Sequence, residues 1–113
     1  MRKYHPGEVI LLEYPYSDFK ETKRRPALVL LDSGDEDIVI ARLTSRPHSG
    51  PFDVQVDDWK QAGLMTPSVV RIDKLLTVAK LLIEQRIGTM SDEDWRKIAH
   101  AIQRLWKDLF PSS

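Results

Sequence analysis

The sequence contains no cysteine. That removes a disulfide framework, a thiolate metal site and a cysteine nucleophile at once. It also lacks any long apolar run. Stretches such as Ala27–Leu31 fall far short of the roughly 20 residues that a bilayer-spanning helix needs. No charged-then-apolar leader precedes a small-residue cleavage site, so no signal peptide is expected and the expected location is cytoplasmic. Net charge is missing too, with 17 basic residues against 17 acidic ones. Global charge therefore gives no support for nucleic-acid binding, and any such activity has to come from local asymmetry.

That asymmetry exists. Lys20, Lys23, Arg24 and Arg25 stand against one acid, Glu21, and Arg42 and Arg46 follow near the end of a later strand. The acids gather elsewhere, at Asp32–Asp37, Asp53–Asp58 and Asp92–Asp94, where alternation and turn positions read as solubility and not as metal ligands. At 113 residues the chain is expected to form one domain, 1–113, with one real core.

Gly7–Glu13 reads as a first strand, since Val9–Leu12 suit a pleated, half-buried surface. Pro26 cannot donate a ladder hydrogen bond, so it is expected at the first residue of the second strand, Pro26–Leu31. A turn around Gly34 leads to a third strand, Asp37–Leu43, and makes the two a hairpin. Phe52, Val54 and Val56 alternate with Asp53, Gln55 and Asp57, the period of a half-exposed strand. A short helical turn from Asp57 or Asp58 ends at Gly63. Ser68–Ile72 and Leu75–Ala79 read as two further segments split by Asp73 and Lys74, and Ile83–Ile87 as a short strand ending at Gly88. Ser91 opens one amphipathic helix in which Trp95, Ile98, Ala99, Ile102, Leu105, Trp106 and Leu109 form an apolar stripe. Trp95 and Trp106 are expected in the core. Many short strands followed by one terminal helix describe a mainly β (α+β) protein: a small, strongly bent antiparallel sheet or barrel, covered by the helix.

The chemistry centres on Arg25, held where a loop becomes a sheet. Reflection of the hairpin about Gly34 sets position 25 against about position 43, which brings Arg25 near Thr44. A guanidinium fork matches phosphate oxygens and stays charged, and a threonine hydroxyl adds a further donor. Such a pair suits a phosphodiester whose transition state gathers negative charge. No metal is required if the substrate brings its own nucleophile, as the 2′-hydroxyl of RNA does. The products would be a 2′,3′-cyclic phosphate and a 5′-hydroxyl. Arginine is a poor general base, so proton transfer falls to His48, Asp18 or Glu21, among which spacing does not choose. The plainer readings are a solvated strand edge for the basic run, a turn former for Thr44 and ordinary surface histidines at His5, His48 and His100.

Four stretches taken together resemble the MazF/PemK (Kid-like) toxin family of type II toxin–antitoxin systems. They are Gly7–Tyr16, Lys23–Leu30 with its Arg-Pro-Ala-Leu-Val core, Leu43-Thr44-Ser45 and Ser68–Leu75. The resemblance implies an SH3-like barrel, a homodimer, and a metal-independent, sequence-selective endoribonuclease acting on mRNA without a cofactor. It also implies neutralisation by a small antitoxin. It assigns catalytic roles to Arg25 and Thr44, and the basic and aromatic residues around them, Phe19, Lys20, Lys23, Arg24 and Arg46, are expected to bind RNA. Many family members carry Gly and Ser in the first loop, where this chain has Asp18–Thr22. Two other functions stay open: a CcdB-like growth inhibitor of the same fold that binds gyrase without cutting RNA, and a binding module that has lost toxicity.

Overall fold

A computed structural model of the chain describes residues 3–14 and 23–110. Six strands form one wholly antiparallel sheet: β1 (Glu8–Tyr14), β2 (Lys23–Leu31), β3 (Asp37–Thr44), β4 (Asp53–Val56), β5 (Ser68–Ala79) and β6 (Ile83–Thr89). Their spatial order is β4-β5-β3-β2-β1-β6. The one α-helix among the described residues, α1, spans Asp92–Leu109. It carries too much charge to cross a membrane, and no helix among the described residues is long and apolar enough to do so.

The central strands are apolar on both faces because both faces are covered. Val9, Leu28 and Ala41 stand in one cross-strand row. They join Val54, Val56, Val70 and Ile72 in a core closed by Ile98 and Ala101 of α1. Ile10, Leu12, Ala27, Val29, Ile38 and Ile40 point the other way, into a second cluster closed by Tyr4 and Val78. Each fully buried aliphatic side chain contributes about 1.5–3 kcal/mol. The chain passes from β5, through a 3₁₀ turn at Lys80–Leu82, to β6 at the far edge beside β1. The sheet thereby bends round its second core, as the expected barrel requires.

Three expectations are corrected. β2 begins at Lys23, so Pro26 lies inside the strand, opposite Leu11. It is tolerated because pairing with β3 starts only at Ala27, which leaves Pro26 with a sheet neighbour on one side. Ser68–Ile72 and Leu75–Ala79 are one continuous strand. Asp73 and Lys74 fall where the register jumps from Ala41↔Leu75 to Arg42↔Arg71, so they form a bulge and not a break. Trp106 is 63% exposed and stacks on Phe110 with ring centroids 4.9 Å apart, outside the core. Trp95 is half-buried and packs on the helix-side cluster.

The acids read as solubility residues are partly structural. Asp94, with a fully buried side chain, accepts hydrogen bonds from the backbone N–H groups of Asp57 (3.1 Å) and Asp58 (2.8 Å). Its own N–H donates to the N-cap hydroxyl of Ser91 at 3.1 Å. Burial would raise the Asp94 pKa, but the Asp58 and Asp57 N–H groups and Lys97 outweigh it and leave it lowered. One carboxylate thus ties α1 to the segment that follows β4.

Candidate active site

The hairpin register decides what meets Arg25. Ala27 faces Arg42, Leu28 faces Ala41 and Val29 faces Ile40. Carried two residues further, that register sets Arg25 opposite Thr44, one position beyond the simple reflection about Gly34. Next to the turn Leu31 faces Val39, and a bulge between Val29 and Leu31 takes up one residue of the offset and leaves the other. Arg25 and Thr44 together line a groove of about 230 Å³, with Leu11, Pro26, Ser45 and Ile87 beside them. The opposite wall is the segment Gly63–Thr66, followed by Ser68.

Each part of the groove is held by backbone structure. β2 pairs Arg25 with Leu12 of β1, a wholly buried residue. Thr44 ends β3, paired with Val69 of β5, and its hydroxyl accepts the N–H of Arg46 at 3.2 Å. The wall is set by the turn after β4, where Ala62 N–H donates to the Asp58 carbonyl, Gly63 to Lys60 and Leu64 to Trp59. Gly63 has φ +80°, and a Cβ there would lie 2.0 Å from the carbonyl oxygen of Ile87. Only glycine lets this turn close against β6.

His48 lines an adjoining recess of about 660 Å³ with Ser45, Pro47, Ser49, Gln55, Pro67 and Val69. Ser45 belongs to both hollows. The loop carrying His48 is anchored by Asp53, whose carboxylate accepts from Gly50 N–H at 2.8 Å and pairs with Arg71 at 3.1 Å. Burial pushes the Asp53 pKa up, but Gly50 N–H, the Arg71 guanidinium and the charge of His48 leave it lowered.

The remaining predicted residues divide as follows. Arg46, next in sequence to the groove residue Ser45, is exposed and does not line the groove. Arg24 is engaged elsewhere, 2.9 Å from Glu84 of β6. Lys23 opens β2. Asp18, Phe19, Lys20 and Glu21 lie outside the described residues. Sequence reasoning missed the groove wall, Gly63–Thr66, and the recess residue Gln55. An alternating strand pattern marks Gln55 as outward-facing but not as facing a hollow. Among the described residues no cluster of three or more His, Asp or Glu could hold a metal ion.

A family model described as PemK-like, MazF-like toxin of type II toxin–antitoxin system matches residues 5–106. No curated protein matches the chain. Among solved structures, the toxin MazF-mt6 of Mycobacterium tuberculosis is similar at 23% identity and TM-score 0.72, over 91% of this chain and 97% of that one. A MazE–MazF structure (Form-II) from Deinococcus radiodurans is similar at 21% identity and TM-score 0.71, over 96% of each chain. A mycobacterial endoribonuclease in complex with its cognate antitoxin is similar at 19% identity and TM-score 0.67, over 88% of this chain and 90% of that one.

Proposed function

The chain belongs to the family of PemK-like, MazF-like toxins of type II toxin–antitoxin systems, and from that premise we propose that it is a metal-independent, sequence-selective endoribonuclease that cuts single-stranded mRNA. The observation that carries the reading is the shared groove of Arg25 and Thr44. The Arg25 fork binds the non-bridging oxygens of the scissile phosphate, and the Thr44 hydroxyl donates to one of them. The ribose 2′-oxygen attacks phosphorus, its proton passes to a base, and the P–O5′ bond breaks as the leaving oxygen takes a proton. The products are a 2′,3′-cyclic phosphate and a 5′-hydroxyl. The nucleophile belongs to the substrate, so no metal is called on to generate it.

Arg25 and Thr44 do not move protons. His48, in the recess that shares Ser45 with the groove, is the described titratable group best placed for that role. Asp18 and Glu21 remain alternatives from the first loop. Arg46, Lys23, Lys20 and Phe19 supply phosphate and stacking contacts along the strand, and Arg24 joins them if it leaves Glu84. A cognate antitoxin and a second copy of the chain are the proposed protein partners. Purified protein incubated with RNA in EDTA is expected to cut it, and Arg25→Ala to abolish cutting with the fold intact. Cutting retained by that variant rejects the site.

A further inference from the structure

We propose that the recess beside the Arg25–Thr44 groove is a nucleobase subsite, and that the side-chain amide of Gln55 reads the base held there. The inference rests on the ribonuclease reading and names the part of this chain that selects where RNA is cut.

The sheet register sets the distance. Thr44 faces Val69 of β5, and Val69 faces Gln55 of β4 on its other side. Directly opposed residues of antiparallel strands project from the same face. Hydroxyl, valine and amide therefore form one row across three strands, two strand spacings or roughly 9–10 Å long. That is the reach of a single nucleotide, from its phosphate to the far edge of its base. A phosphate at Thr44 would leave an adjoining base over Val69 and Gln55.

The lining suits a base and not a second phosphate. Pro47, Pro67 and Val69 give apolar surface, Ser45 and Gln55 give uncharged polar groups, and among the described residues no Lys or Arg lines the recess. Among the described residues His48 is its one titratable member. At about 660 Å³ the recess has ample room for a purine.

Gln55 is built to be read from outside. Its backbone carbonyl accepts from Lys97 Nζ at 2.7 Å, and the same ammonium lies 3.1 Å from the buried Asp94. The backbone is pinned while the exposed amide has no hydrogen-bond partner among the described residues. An amide offers one donor and one acceptor side by side, the complement of the adenine N6/N7 edge. A carboxylate in its place offers acceptors only and favours the cytosine N4 amine.

The test compares wild type, Gln55→Leu and Gln55→Glu on a long RNA, with the cut ends sequenced and the thermal unfolding of all three proteins matched. The readout is the base composition at the cut sites, normalised to each protein's total cutting. Wild type favours adenine at one position adjoining the cut, Gln55→Leu loses that preference by about 10-fold, and Gln55→Glu moves it toward cytosine. Cutting by wild type with the same sequence profile in all three proteins overturns the subsite and leaves the ribonuclease reading standing. A wild type that cuts no RNA overturns both.

Discussion

At the scale of single residues, charge alone does not explain the site. Arg25→Lys keeps the positive charge and loses the planar fork. It is expected to lower kcat by about 10²-fold with little change in KM, because the fork acts most strongly on the transition state. Thr44→Val, which keeps the shape and removes the donor, should behave in the same way; single-turnover cleavage measures both. Arg25 and Thr44 were legible in the sequence because a hairpin with a short turn leaves little choice of register. Asp94 was not legible. At the third helical position it has the spacing of a capping residue, whereas its carboxylate in fact serves Asp57 and Asp58, 37 and 36 residues away. Asp94→Ala leaves two backbone donors unpartnered and is expected to cost about 2–4 kcal/mol in urea unfolding. Asp32 gives a pH signature. The N–H of Tyr4, the Lys80 ammonium 2.9 Å away and the N–H of Gly34 hold its pKa at about 2, below the ordinary 3.8. Its contribution to stability is complete above about pH 4 and is lost as pH falls toward 2. Asp32→Asn should therefore lower the unfolding midpoint at pH 7 and reduce the loss of stability between pH 4 and 2.

At the scale of elements, the strands follow from runs of apolar residues, but their boundaries depend on neighbours. Pro26 reads as a strand start only if its position has partners on both sides, and at Pro26 β2 is paired with β1 alone. Asp73 and Lys74 read as a break only if a strand must stay in register. A bulge lets β5 turn out two charged side chains and continue. Trp106 matches the helical stripe in spacing, yet the sheet ends before the helix does, so the last turns carry apolar side chains past the core. The turn after β4 packs its backbone directly against β6. A Cβ on Gly88 would lie 2.3 Å from the Ala62 carbonyl, the reciprocal of the clash at Gly63. Gly63→Ala and Gly88→Ala are each expected to destabilise by on the order of 3 kcal/mol. Because this turn forms the groove wall, whatever folded protein remains should also cut RNA more slowly; thermal unfolding and cleavage rates on the same samples check both.

At the scale of the whole molecule, a net charge of zero means that the proposed RNA substrate would have to be drawn by a local basic patch. Affinity for an uncleavable oligonucleotide should fall only modestly as salt rises, with the slope of a few phosphate contacts. Large apolar side chains exposed at Leu31, Leu75, Trp106, Leu109 and Phe110 are natural material for the proposed homodimer or antitoxin contact. Sedimentation equilibrium should find a dimer that Trp106→Glu weakens. The central claim is that one guanidinium and one hydroxyl converge on a scissile phosphate. Its most direct measurement is the chemistry of the RNA ends produced in EDTA by wild type, Arg25→Ala and Thr44→Val, each shown to be folded. The account predicts 2′,3′-cyclic phosphate and 5′-hydroxyl ends from wild type and almost none from either variant. Ends of another chemistry, or undiminished cutting by Arg25→Ala, would contradict it.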